Sequence, residues 1–406
     1  MRVPLASSGL RPQDVAAVIK VLNSGNLTMG NEVKEFERAM AEYLKVKHFV
    51  MVNSGSSANL AIFEALLRPS KSEPRLKRGD GVLVPAVAWP TTIWPIVQLG
   101  LIPVFVDIEL NTIALDIIDA KRKIRDSKIP IKAIFPIHPL GYSIDGQKLN
   151  QFAIENDLIL INDVCESLGS WDGHHHAGTT GVAASFSFYF SHHITTMEGG
   201  GVATNDDFVA DDLRSIRSHG WSRDRFDVAN WTQNFSQTDA KFMFVTTGFN
   251  IRPMEIQAAI GQLQIADIDL FIKKRRETAN KITHALKDSQ LNVVDCGVFS
   301  GTTPISAHSW MLIPLRVQGS KKATKKAKIL EYLEKNEIET RPVLTGNFLS
   351  QPAIGRIDGE FPPANSFPNA SEITESYFMI GNHHDFSEDQ VNYLILHLIE
   401  AAKHIK

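Results

Sequence analysis

Six short apolar runs, at residues 81–87, 102–108, 132–138, 158–164, 184–190 and 201–205, punctuate the first two-thirds of this chain and limit what it can fold into. Several, such as "LILINDV" and "KAIFPIH", are apolar at consecutive positions, the pattern of strands covered by helices on both faces of a sheet. Segments with helical apolar spacing lie between them. That alternation predicts an α/β protein with a mostly parallel, mixed sheet covered by helices. Near Pro253 the rhythm changes. The stretch from "PMEIQAAIGQ" to "THAL" opens on a proline, tolerated at a helix's first position, and keeps helical spacing to residue 286, so it predicts one long helix leaving the sheet. A strand at 310–317, a helix at 323–336, a strand in "IETRPVL" and a closing helix after "SEDQVNYL" should follow. These define a large domain over residues 1–265 and a smaller C-terminal α/β domain over 266–406.

Composition removes several classes of function. Lysine and arginine number 42 against 45 aspartates and glutamates, a formal charge of −3, so no basic excess exists to neutralise nucleic-acid phosphates. The one basic run, "KKATKKAK" at 321–328, reads as the solvated face of a helix. No uncharged apolar stretch reaches about 18 residues and the first residues lack an apolar signal core, so a cytoplasmic protein without membrane contact is expected. Two cysteines, Cys165 and Cys296, cannot build a disulfide framework or a four-thiolate metal or iron–sulfur site in one chain.

Four local motifs carry candidate chemistry. "VNSGSSANLAIFEAL" sets Ser56 and Ser57 at a helix start, where unpaired N–H groups and the dipole suit a phosphate, although a serine helix cap reads the same way. "LILINDVCESLGS" ends a strand on Asp163, with Glu166 three residues on. A carboxylate at a sheet's carboxyl edge is either a ligand group in need of a cation or a helix cap. Trp89 in "VAWPTTIWP" is a stacking surface or a packing residue. "EGGGV" lacks dinucleotide-loop spacing and leads into a strand. In "GHHHAG", His174, His175 and His176 read as turn decoration, because adjacent side chains diverge, and no metal site is expected. The fourth motif is "SFYFSHHITTMEGGG", which puts Ser187 five residues before the first of two adjacent histidines, His192 and His193.

Together these residues resemble the sugar aminotransferase and dehydratase family that acts on nucleotide-linked 4-keto sugars, pyridoxal-phosphate-dependent transferases of fold type I. The likeness runs the length of the chain, from "PLASS" and "LTMG" to "RPVLTGNFL" and "GNHH". Ordinary members carry lysine at the position of His192, and no lysine lies between Lys148 and Lys241 here. Histidine there resembles the 3-dehydratase branch. Part of that branch holds a cysteine-ligated iron–sulfur cluster, which two cysteines cannot supply.

The resemblance implies pyridoxal or pyridoxamine phosphate held non-covalently, since an imidazole cannot keep an aldehyde as a stable imine. It implies phosphate contacts from Ser56, Ser57 and Ser187, stacking by Trp89, a pyridine-nitrogen contact from Asp163 and proximity of Glu166. Asn250 in "GFNIRP" should reach the phosphate of a neighbouring subunit, which implies a homodimer with shared sites. His219 in "RSHGWSR" should approach the substrate. His192 is the expected proton carrier, because neighbouring side chains in extended backbone face opposite ways and the family position selects it over His193. The implied reaction removes the C3 hydroxyl of a 4-keto-6-deoxy sugar, with L-glutamate regenerating the amine cofactor. The choice of GDP as the nucleotide follows from resemblance alone. Two alternatives are an aminotransferase using transiently bound amine cofactor and a non-catalytic binding protein.

Overall fold

The structure, a computed structural model, describes residues 1–403. Seven strands form the larger sheet: β1 (His48–Val52), β2 (Gly81–Pro85), β3 (Ile102–Val106), β4 (Ile131–Ile134), β5 (Ile159–Asp163), β6 (Ala183–Ser187) and β7 (Gly200–Thr204). Their spatial order is β1-β7-β6-β5-β4-β2-β3. Only β7 runs against its neighbours; the pairs from β6 across to β3 are parallel. The mostly parallel mixed sheet therefore follows from the apolar runs, and β2 and β7 are buried along their whole length. β1 was not anticipated. Its "HFVMV" is too brief to show a period and gains its place only by antiparallel pairing with β7.

The long helix expected from 253 to 286 is two, Glu255–Ile265 and Ile268–Leu286. Asp267 leaves helical geometry (φ −106°, ψ 5°), and its carboxylate pairs with Arg11 at 2.5 Å. Periodicity cannot reveal such a break, because the cause lies 256 residues away. The smaller sheet contains β8 (Leu291–Val293), β9 (Ile313–Val317), β10 (Thr340–Arg341) and β11 (Tyr377–Ile380), in the antiparallel order β10-β11-β9-β8. The strand expected in "IETRPVL" shrinks to two residues at the sheet edge, where Pro342 has no N–H to continue a ladder. No described helix is long and apolar enough to cross a membrane.

The two sheets are laced together. Val3 is buried in the core beneath the smaller sheet and bonds both ways with its edge, Val3 N to Glu337 O at 3.0 Å and Glu339 N to Val3 O at 2.9 Å. Conversely, Leu344, Phe348, Phe367 and Tyr377 pack in the core of the larger sheet. Four segments that matter for the site leave the same sheet edge. β5 ends on Asp163, β6 on Ser187, the chain after β2 reaches Trp89, and β1 feeds the helix Gly55–Leu67.

The helix Asn31–Leu44 begins at Gly30, which has no side chain to cap it. Glu255 supplies the cap from across the interface, accepting from Gly30 N (2.8 Å), Glu32 N (2.9 Å) and Val33 N (3.1 Å). A Cβ at position 30 would stand 2.6 Å from Glu255 Oε2, which explains the glycine of "LTMG". Glu255→Ala leaves three amides unpartnered beside a buried space and should lower unfolding free energy by about 2–3 kcal/mol, read from chemical denaturation.

Candidate active site

At the carboxyl edge of the larger sheet lies a cavity of about 530 Å³. Ser56, Trp89, Asp163, Glu166, Ser187 and His192 line it. Ser57, Asn250 and His219 do not. The Ser57 hydroxyl sits 3.0 Å from that of Ser54, and Asn250 and His219 are exposed on two loop segments joined by an isolated bridge between Ser218 and Asn250. Sequence reasoning missed Tyr189, Met311 and Arg341, which complete the wall. Arg341 and Met311 come from the C-terminal third, and only the family-like "RPVL" segment pointed toward the former.

At the helix start one serine is the cap and another faces the cavity. Ser54 is the cap: its Oγ accepts from Ser57 N at 3.1 Å, and its carbonyl takes Ala58 N. The amides of Gly55 and Ser56 then open the helix with no intrahelical acceptor, and the Ser56 side chain faces the cavity. A Cβ on Gly55 would lie 2.6 Å from Ser187 Cβ and 2.9 Å from Cys165 Sγ, so only glycine leaves this cradle open. An anion with several oxygens fits such a donor set.

Asp163 is 5% exposed and held by three neutral donors. Asn59 Nδ2 (3.1 Å) and Thr92 Oγ1 (2.8 Å) donate to its Oδ2, and Cys165 N (3.1 Å) donates to Oδ1. Among the described residues it has no ion-pair partner. A buried carboxylate without a cation is costly, and this one borders an open cavity, so the site asks for a positively charged ligand group. Glu166 accepts from Leu140 N at 2.9 Å. Burial raises its carboxyl to about 7, with Asp163 adding to the shift and Arg341 opposing it. Arg341 also lies over the Trp89 ring, 5.5 Å from its centre, while Trp89 remains 46% exposed toward the cavity.

The two histidines part company, although the backbone that carries them is a turn beyond β6, closed by His192 N to Tyr189 O at 3.0 Å, and not the extended run expected. His192 faces the cavity. His193 is 1% exposed, and its Nε2 donates to Ser309 O at 3.3 Å, a contact that joins the loop to the C-terminal part of the chain. The triple-histidine segment forms a turn in which Asp172 Oδ1 accepts from His174 N (2.8 Å) and His175 N (2.7 Å), while His176 packs between Trp171 and Tyr43.

A parallel sheet with one reversed strand beside β1, and a cavity at its carboxyl edge that wants an anion at one end and a cation at the other, define a pyridoxal-phosphate enzyme of the aspartate aminotransferase fold. More closely, residues 9–398 match the DegT/DnrJ/EryC1/StrS aminotransferase family, and the chain belongs to it. It is 36% identical to a GDP-4-keto-6-deoxy-D-mannose 3-dehydratase from Escherichia coli O55:H7, across 96% of this chain and 98% of that protein. A crystal structure of a GDP-4-keto-6-deoxymannose 3-dehydratase, a histidine-to-asparagine variant with GDP-perosamine bound, superposes with a TM-score of 0.88 at 36% identity, over 98% of this chain and 100% of the other. Another, holding a trapped geminal diamine of pyridoxal phosphate and glutamate, gives 0.87 at 35% identity, with 98% and 100% coverage.

The Glu166 shift has a measurable consequence. A carboxyl whose folded value lies above its unfolded value near 4.5 loses stability as pH rises from about 4.5 to about 7. Glu166→Gln stays neutral throughout. In the cofactor-free proteins the variant should match wild type at pH 4.5 and exceed it above pH 7.5, by up to about 3 kcal/mol in denaturant titrations.

Proposed function

We propose that this protein catalyses C3 dehydration of a nucleotide-linked 4-keto-6-deoxy sugar, GDP-4-keto-6-deoxy-D-mannose, to the 4-keto-3,6-dideoxy sugar, with pyridoxamine phosphate as cofactor and L-glutamate regenerating it. One observation carries the reading: His192 occupies the cavity wall and, among the described residues, no lysine lines it. A site with no amine cannot hold an aldehyde cofactor covalently, yet it keeps a group able to move protons.

The residues divide the work as follows. The Gly55 and Ser56 amides with the Ser56 and Ser187 hydroxyls hold the cofactor phosphate, and Ser57 steadies the turn through Ser54. Asp163 pairs with the protonated pyridine nitrogen, which supplies the cation its burial demands. Trp89 covers the ring. Bound there, the amine form supplies a nitrogen nucleophile for the C4 ketone and a conjugated ring that takes up electrons. His192 is held neutral, near 3, by burial first and then by the charges of Arg275 and Arg341, so it enters as a base. It takes a proton beside the reacting carbon and returns it to the C3 hydroxyl as that group leaves. Glu166, neutral below about 7, can donate a hydrogen bond toward the ring's oxygen substituent.

The exposed positions of Asn250 and His219 fit a homodimer in which they serve a neighbouring site, Asn250 toward phosphate and His219 toward sugar. On this reading the lobes are residues 1–265 and 266–406, and the enzyme works in the cytoplasm, where nucleotide sugars are made.

Incubation with GDP-4-keto-6-deoxymannose and glutamate should give the 3,6-dideoxy keto sugar and ammonia by mass spectrometry; a 4-amino-4,6-dideoxy product would assign the protein to the aminotransferases instead. His192→Asn should slow dehydration by about 10²- to 10⁴-fold. In His192→Lys, borohydride reduction should fix the cofactor to the protein as an added mass, and dehydration should cease. Dehydration at wild-type rate in that variant would refute the assignment of His192.

A further inference from the structure

Beside an edge contact with the Tyr189 ring, the His192 ring nitrogens have one hydrogen-bond partner among the described residues, and it is a sulfur. The His192 Nδ1 atom lies 3.1 Å from Met311 Sδ. A thioether has no proton to give, so this contact is a hydrogen bond only when Nδ1 carries the hydrogen, which leaves the Nε2 lone pair free. The same two residues are joined through their backbones by one side chain. Arg275, on the helix Ile268–Leu286, donates to Met311 O at 2.9 Å, to His192 O at 3.2 Å and to Asn382 O. Arg275 is 1% exposed and, among the described residues, has no carboxylate within ion-pair distance. Its Nε has no partner. A guanidinium buried that way costs stability, so its retention calls for another role.

The backbone around Met311 is constrained on every side. Trp310, just before it, sits at φ 55°, a region that bulky residues avoid. Ser309 N and Met311 N bond to Gly141 O (2.7 Å) and Leu140 O (3.0 Å), and Asn382 Nδ2 bonds to Trp310 O (2.8 Å). Gly141 is at φ 102°, and a Cβ there would strike Trp310 N at 2.4 Å. Strain held by this many bonds delivers a side chain to a fixed place, and that side chain is the Met311 thioether.

We propose that Met311 and Arg275 position His192 for proton transfer: the sulfur takes Nδ1–H, making Nε2 the working nitrogen, and the guanidinium locks the two backbones together. This rests on His192 being the proton carrier. A sulfur acceptor differs in one useful respect from the carboxylate that commonly orients a catalytic histidine: it is neutral and orients the ring without stabilising its cation. The charge state is left to the groups around the ring. These are Arg275 from the helix behind the loop, Arg341 from β10, Asp163 and Glu166 at the sheet edge, Glu198 and Tyr189 on the loop itself, and neighbouring His193.

Two variants and two readouts test it. Met311→Leu keeps volume and removes the acceptor; Met311→Gln restores an acceptor through its amide oxygen. In ¹⁵N-histidine-labelled protein, the His192 resonances (assigned by their loss in His192→Asn) should report Nδ1–H in wild type and in Met311→Gln, and a mixture of tautomers in Met311→Leu. In single turnovers with enzyme preloaded with pyridoxamine phosphate, Met311→Leu should slow dehydration on the order of tenfold, with Met311→Gln recovering most of it. In the His192→Asn background Met311→Leu should have no further effect. Arg275→Lys keeps the charge but loses the fork, and should show the mixed-tautomer spectrum in folded protein; an unchanged spectrum would remove Arg275 from the assignment. A wild-type Nε2–H tautomer, or an equal rate loss from Met311→Leu with and without His192, would overturn the proposal. Because the tautomer is read without turnover, absence of dehydration in the wild type would count against the proposed reaction and leave this test intact.

Discussion

A carboxylate buried at the end of β5 without a countercharge is the constraint around which the rest of this molecule is arranged. Asp163 is fixed by Asn59, Thr92 and the Cys165 amide, three donors drawn from the helix after β1, the helix after β2 and its own loop. Those donors are neutral. They aim the group but bring no charge to balance it, which is left to the cavity. The helix opening at Gly55 and Ser56 sets the opposite demand, a run of amides waiting for an anion. A ligand with a protonated ring nitrogen at one end and a phosphate at the other meets both, and the sheet fixes the distance between them.

That polarity explains why exchanging a lysine for His192 changes the chemistry while the scaffold persists. The residues proposed to hold the cofactor follow β1 and β2 or end β5 and β6, and none of these elements includes position 192. Loss of the covalent tether is offset by these contacts, and the wall gains an imidazole that stays neutral beside Arg275 and Arg341. Its neighbour His193 does unrelated work, joining the loop to Ser309. Two identical side chains in sequence thus have separate surroundings, because the turn after β6 sends one into the cavity and buries the other.

Much of this was legible in the amino-acid sequence, and the parts that were not share a cause. The strands around Asp163 and Ser187 are local apolar runs, so their positions could be read, as could the serines at the helix start. The family likeness then selected His192. What stayed hidden depends on contacts between distant parts of the chain: β1, which is a strand because β7 pairs with it; the helix break at Asp267, which pairs with Arg11; and the placing of Met311, Arg341 and their neighbours Glu339 and Leu344 in a cavity built mostly before residue 200. Ser54 shows a subtler limit. The structure bears out the capping reading, on Ser54, and the sequence could not say which serine would take it.

The exchange between Val3 and the chain at Glu337 and Glu339 also bears on how the molecule comes into being. Leu5 and Ala6, which follow that exchange, stand in the wall of the cavity. During synthesis the segment at Val3 therefore lacks this partner until some 330 more residues have been made. The sheet of β1 to β7 can assemble while synthesis continues, but the wall formed by Leu5 and Ala6 is fixed only once the chain at Glu337 to Arg341 has been made and has paired with Val3.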